Sequence, residues 1–191
     1  MKKILNIHGY KGSAENSACI ALKNLGHEVI SPQIDYDSEN PEKILDDLRK
    51  VFLEYKPDFI VGTSLGGFFA LLLSQEFKVE YYESHIKKFL HRGIPTILVN
   101  PCFKPSVTLS ELGYTADKTT ETTLSEYENM IEEMGCYNLS LSVCAIIGGQ
   151  DEVISYHDYT KRIIKNNYVV PEGKHSGATL NLDYWLKRLI K

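Results

Sequence analysis

Gly62-Thr63-Ser64-Leu65-Gly66-Gly67 is the segment of this sequence best suited to chemistry. It reads G-x-S-x-G, the pattern of a serine held on a sharp strand-to-helix turn, where small flanking residues let two backbones approach closely. A serine hydroxyl is a weak nucleophile at its own pKa, so it needs a base, and the base needs a third group to orient it. On such a turn the partners follow in the order serine, acid, histidine. Asp151 and Glu152 come just after Gly148-Gly149-Gln150, beyond an apolar run, and His175 lies in Gly173-Lys174-His175-Ser176, beyond the last apolar run. Either carboxylate could orient an imidazole, and Asp151 could instead cap a following helix. His175 is the one histidine past the last expected strand, whereas His27, His85, His91 and His157 fall on expected helices or strand edges. The chemistry expected is attack by Ser64 on a carbonyl carbon, with His175 as the base and Asp151 as the orienting acid.

A second requirement is a pair of donors for the oxyanion that such an attack creates. His8-Gly9-Tyr10-Lys11-Gly12-Ser13 follows the first apolar run, and its Gly9 lets the chain turn so that the next amide points at a developing charge. The expected donors are the backbone N–H groups of Tyr10 and Leu65, with His8 shaping the loop. Gly9-Tyr10-Lys11-Gly12 completes neither G-x-G-x-x-G nor G-x-x-x-x-G-K-[ST], so a nucleotide site is not expected. No H-E-x-x-H or comparable ligand spacing occurs, and neither a metal nor a cofactor is expected. Asp35, Asp37, Glu39, Asp46 and Asp47 read as a solvated face, and Tyr81 with Tyr82 as part of a half-buried helix.

The elements that must position these residues alternate apolar runs of strand length with segments of helical period, which implies an α/β fold with parallel strands joined by crossover helices. Strands are expected at 3–8, 29–30, 59–62, 95–100, 143–147 and 168–170, and helices at 17–25, 41–56, 65–77, 80–91, 155–166 and 180–190. Residues 101–135 show no strand pattern and read as a lid-like insertion with short helices inside a single domain. That insertion holds few large apolar residues, so a long acyl tunnel is not expected and short chains are. At 191 residues the chain can remove roughly 70% of its unfolded surface from water. A net charge of -4 leaves no excess positive charge for nucleic acid. Cys19, Cys102, Cys136 and Cys144 form no C-x-x-C pair and read as reduced, mostly buried thiols. The first residues are too short an apolar run for a secretory or membrane segment, so a cytoplasmic protein without a membrane partner is expected.

Taken together, His8-Gly9, Gly62-Thr63-Ser64-Leu65-Gly66-Gly67, Asn100-Pro101, Asp151-Glu152-Val153 and Gly173-Lys174-His175 resemble the YqiA-like small bacterial esterases of the α/β-hydrolase superfamily, over nearly the whole chain. The resemblance implies a serine esterase acting on short acyl esters, with Ser64 as nucleophile, Asp151 as acid and His175 as base. It also implies a chain that opens directly on the strand before the oxyanion loop. The sequence departs from the family pattern in a longer helix pair over 65–91 and in Ser176 after the histidine. An acyl thioesterase uses the same machinery, and a non-catalytic binding protein of the same fold is the rival from another class.

Overall fold

The computed structural model describes residues 1–83, 88–134, 139 and 142–191, with the backbone alone over 78–83 and 88–92. Six strands form one parallel sheet: β1 (Lys3–Ile7), β2 (Glu28–Ile30), β3 (Phe59–Thr63), β6 (Thr96–Val99), β7 (Val143–Gly148) and β8 (Asn167–Val170), in the order β2-β1-β3-β6-β7-β8. The strands read as nearly unbroken apolar runs because both faces are covered. Side chains alternate across the sheet. Leu5, Ile7, Ile60, Leu98, Ala145 and Ile147 point to one core, and Ile4, Val61, Ile97, Val99 and Ile146 to the other.

The first face is covered by α2 (Pro41–Tyr55), α3 (Leu65–Glu76) and α5 (Lys118–Glu133). The second is covered by α1 (Ser17–Asn24) and α7 (Leu182–Leu189). Local signals start these helices. Asn16, Asn40 and Asp117 each accept a backbone N–H three residues on, and Pro41 takes the first position of α2. Helix α3 is buried at every residue from Leu65 to Ser74, which explains its lack of a polar face.

The chain runs from β1 outward to β2 and then crosses back to β3, so the sheet order reverses between β1 and β3. A crevice at the carboxyl ends of these strands is where open α/β sheets place their sites. The turn after β1 and the turn after β3 meet there.

Some expected elements differ. The helix expected over 80–91 is not found where those residues are described: β4 (Lys78–Glu83) and β5 (Lys88–Gly93) pair antiparallel as a separate two-stranded sheet. Phe77 is already extended, with φ -98° and ψ 104°, so the chain leaves α3 before the expected second helix begins. Valine and tyrosines favour strands over helices, and this propensity outweighed the apparent helical spacing in 78–83. Tyr81 and Tyr82 therefore stand on a strand, and His85 lies outside the described residues, as does Cys136. The expected helix at 155–166 shrinks to α6 (His157–Ile163), and the closing helix is preceded by a 3₁₀ turn at Gly177–Thr179. In 101–135 the helices are α4 (Pro105–Glu111) and the 16-residue α5, longer than a connection with short helices suggests.

The tightest backbone approach is between α3 and the end of β1, where a Cβ on Gly66 would collide with the carbonyl oxygens of Ile7 and His8. Neither atom belongs to a flexible side chain, so Gly66→Ala forces the helix off the sheet. The expected cost is at least about 3 kcal/mol in urea unfolding, the upper range for overpacking. A loss below about 1 kcal/mol would mean that the helix moves freely at this point.

Candidate active site

Ser64 occupies the turn between β3 and α3 with φ 53° and ψ -121°, a conformation that costs a non-glycine residue about 1–3 kcal/mol. The surroundings hold it there. Its N–H donates to Val99 O at 2.9 Å, and its carbonyl accepts from Gly67 N at 2.9 Å and Cys102 N at 3.0 Å. On the other side a Cβ at Gly9 would stand 2.8 Å from Ser64 Cβ, so only glycine lets the first loop come this close. Leu65 begins α3, so its N–H has no carbonyl one turn back within the helix. Tyr10 follows Gly9, and its ring packs edge-on against Tyr114 at 5.8 Å.

His175 Nε2 lies 3.1 Å from Ser64 Oγ, and His175 Nδ1 lies 3.0 Å from both carboxylate oxygens of Asp151. Since Asp151 accepts, Nδ1 carries the proton and Nε2 is left facing the serine hydroxyl. Three residues drawn from the ends of β3, β7 and β8 are thus joined in one chain of hydrogen bonds. Of the two neighbouring acids it is Asp151 that faces the imidazole. Glu152 is exposed and accepts the backbone N–H of His175 at 3.2 Å. Nor does Asp151 cap α6: its Oδ1 accepts from Val153 N and Ile154 N, both at 2.9 Å, which folds the loop back on itself before the helix starts.

The Asp151 side chain is fully buried. Burial pushes its carboxyl up, but hydrogen bonds from His157, His175, Ile154 and Val153 more than offset this and hold it well below the usual carboxylate range. His157 Nε2 is 2.8 Å from Asp151 Oδ2. Sequence reasoning placed His157 on a helix, which is correct, and missed that this helix starts against the acid. A histidine six residues after an acid carries no spacing signal until the loop between them is known to double back.

Asn100 was visible only as part of a shared dipeptide. Fully buried and at φ 45°, it donates from Nδ2 to the carbonyls of Lys174 and His175 and accepts at Oδ1 from Gly148 N. It therefore ties the histidine loop to the ends of β6 and β7. Asparagine tolerates positive φ better than other non-glycine residues, which suits it to this corner. A second tie is Tyr156, whose hydroxyl meets Thr108 Oγ1 at 2.8 Å, Cys102 Sγ at 3.3 Å and Lys104 N at 3.2 Å. Burial pushes the Cys102 thiol up to about 11, so it stays protonated beside the site. Of the described cysteines, Cys19 and Cys102 are buried and Cys144 half-buried, all three free.

His8 does not reach Ser64 with its ring. Its Nδ1 lies 2.8 Å from Gly9 O, and its Nε2 accepts from Ile34 N at 3.0 Å, while its own carbonyl accepts from the Tyr36 hydroxyl at 2.6 Å. Every one of these bonds fixes the loop that carries Tyr10. The acidic residues nearby are engaged at the surface: Lys43 pairs with Glu39 and Asp47, and Tyr10 donates to Asp37. Among the described residues no group of three or more His, Cys, Asp or Glu side chains is placed to hold a metal ion, and no helix is long and apolar enough to cross a membrane.

With this geometry in view, residues 3–188 match the uncharacterised protein family UPF0227. The chain belongs to that family. The UPF0227 chain is also similar in structure to Est1E from Butyrivibrio proteoclasticus, with a TM-score of 0.67 at 18% identity over 98% of this chain and 88% of that one. A second structure of Est1E, with ferulic acid bound, gives 0.66 at 17% identity over 100% and 90%. Mouse alpha/beta hydrolase domain-containing protein 10 gives 0.63 at 16% identity over 98% and 89%. At such identities the likeness is one of fold, and the fold is that of the α/β hydrolases.

The His8 contacts make stability depend on pH. Burial disfavours the imidazolium and the Gly9 carbonyl only partly opposes it, so the pKa of His8 lies below 6.5 in the folded UPF0227 chain. The unfolded chain then takes up the proton first as pH falls. Stability from His8 is complete above about 6.5 and is lost as pH drops through the folded pKa. His27 moves the same way, through burial and through the amino terminus and Lys2. Urea unfolding at about pH 7.5 and about pH 5.5 should show wild type losing stability on acidification, and His8→Gln, which keeps a donor and an acceptor without titrating, losing less. Equal losses in the two proteins would assign the effect elsewhere.

Proposed function

We propose that the protein is a serine hydrolase that cleaves carboxylic esters of short acyl chains through an acyl-enzyme. The observation that carries this reading is the 3.1 Å approach of His175 Nε2 to Ser64 Oγ with Asp151 bonded behind the ring at 3.0 Å. In this arrangement His175 takes the Ser64 proton as Oγ attacks the ester carbon, and Asp151 fixes the tautomer and stabilises the imidazolium. The tetrahedral oxyanion is held by the N–H groups of Tyr10 and Leu65, brought together by the close approach of Gly9 to Ser64. Collapse expels the alcohol with the proton from His175. Water, deprotonated by the same histidine, then releases the acid and restores Ser64. The Est1E structure with ferulic acid and the mouse alpha/beta hydrolase domain-containing protein support hydrolase chemistry on this fold.

The narrow space beside Leu65 supports a short acyl group. Tyr36, Leu65, Phe69, Leu109, Tyr114 and Leu124 border a small cleft of about 20 Å³. A second cleft, between α4 and α5, also has Leu109, Tyr114 and Leu124 in its wall. These three side chains stand between the two spaces and close the first one off. The 101–135 segment in this reading is a lid that shortens the site instead of lining a tunnel.

Ser64→Ala should lower kcat by about 10⁴- to 10⁶-fold and abolish labelling by a fluorophosphonate probe, with the unfolding midpoint nearly unchanged. Turnover above about a tenth of wild type would exclude Ser64 as nucleophile, since that is a barrier change of only about 1.4 kcal/mol. Failure of the wild-type protein to label would favour a non-catalytic binding protein.

A series of p-nitrophenyl esters, run beside matching thioesters, tests the cleft. Each methylene that finds apolar contact is worth about 0.8 kcal/mol, or about fourfold in kcat/KM. The gain should stop between acetyl and hexanoyl in wild type. In Leu109→Ala, which opens one cleft into the other, it should extend to longer chains. A wild-type kcat/KM still rising past octanoyl would overturn the short-chain reading, and a preference for thioesters would assign the site to acyl thioesters.

A further inference from the structure

Asp151 serves two imidazoles, and ester cleavage accounts for only one. His157, the first residue of α6, brings Nε2 to 2.8 Å from Asp151 Oδ2, closer than the 3.0 Å contacts of His175. Its side chain is 11% exposed and that of Asp151 is 0% exposed, so the contact is shielded from water. The other ring nitrogen, Nδ1, is buried with no hydrogen-bond partner among the described residues. The carboxylate at 2.8 Å places the proton on Nε2. A proton on Nδ1 would be an unmet buried donor and would leave a lone pair facing a carboxylate. A proton on Nε2 makes a charge-assisted bond and leaves only a lone pair unmet.

We propose that His157 is a positioning residue, an Nε2–H donor that holds Asp151 Oδ2 and so sets how strongly the carboxylate acts on His175. The proposal rests on the reading of Ser64, His175 and Asp151 as the hydrolytic machinery. Asp151 Oδ1 is already met by the amides of Val153 and Ile154. With His157 on Oδ2 the carboxylate is held on both oxygens, and its plane is fixed independently of His175. A carboxylate whose charge is shared among more donors stabilises an imidazolium less. His157 thereby tempers the pull of the carboxylate on the His175 ring while keeping that ring aimed at Ser64.

Other titratable groups on the elements packed there do not take this role. Glu152 is occupied with the His175 amide, and Lys174 is exposed. Asp158 is turned out to solvent and pairs with Lys161. The Tyr156 hydroxyl faces Cys102 and Thr108.

The test is a titration of His175 by ¹⁵N NMR in the wild-type protein, in His157→Phe and in His157→Gln, with the acid limb of kcat/KM measured alongside. Phenylalanine keeps a ring and removes the donor, whereas glutamine can place its amide N–H where Nε2 stood. Wild type should show His157 as the Nε2–H tautomer. In His157→Phe the His175 midpoint and the acid limb should both rise by about 0.5 to 1 pH unit, because the freed carboxylate charge favours the imidazolium. His157→Gln should return both to near the wild-type position. An unmoved midpoint in His157→Phe, or a glutamine variant shifted as far as the phenylalanine one, would reduce His157 to a structural tether. If His157→Phe does not fold, an Nδ1–H tautomer in wild type would by itself overturn the proposal. The midpoint is read without substrate, so lack of ester turnover would count against the hydrolase reading alone and lack of a shift against His157 alone.

Discussion

The backbone of Ser64 is the constraint on which the rest of the site depends. A residue held at φ 53° and ψ -121° does not stay there by preference. It is kept there by strand β6 through Val99 O, by the turn after β6 through Cys102 N, and by the first loop pressing from the opposite side at Gly9. This explains why glycines recur where β1 and β3 end. Gly66 lets the helix lie on the carbonyls of Ile7 and His8, and Gly9 lets the loop lie on the serine. The same close approaches press the turn after β1 against the turn after β3.

The burial of Asp151 has a comparable logic at the other end of the hydrogen-bond chain. A buried carboxylate without partners would take up a proton and cease to orient anything. Four donors prevent this: the amides of Val153 and Ile154 and the two imidazoles. Asn100 does for the histidine loop what those donors do for the acid, bonding to the carbonyls of both Lys174 and His175 from a third strand end. Position at both ends is thus supplied largely by groups outside the Ser64, His175 and Asp151 chain of hydrogen bonds.

What the sequence made legible was what depends on local rules. Alternating apolar runs gave the parallel sheet, glycine spacing marked the Ser64 turn, and the chain order of strand ends led to Asp151 and His175. Helix starts at Asn40-Pro41 were plain from capping chemistry. What stayed hidden depends on where loops go after they leave an element. Residues 78–83 carry an apparent helical spacing, and their strand propensity with the extended backbone at Phe77 decides against it. His157 and Asn100 carry no motif of their own. Each matters because a turn elsewhere brings a carboxylate or a pair of carbonyls within reach. The choice between Asp151 and Glu152 was likewise open until the Asp151 turn fixed which carboxylate points inward.

The Tyr156 hydroxyl joins parts of the molecule that the chain keeps far apart. It bonds at once to α4 through Thr108, to the residue before α4 through Lys104 N, and to the turn after β6 through Cys102, while its own residue precedes His157 on the loop that carries Asp151. Burial keeps this phenol protonated by pushing its pKa upward, so the knot does not loosen in ordinary alkaline conditions. Helix α4 is therefore not hinged to the body as a free flap would be. Its amino-terminal end is pinned through Tyr156 to the loop that carries Asp151, so the two are tied across about fifty residues of chain.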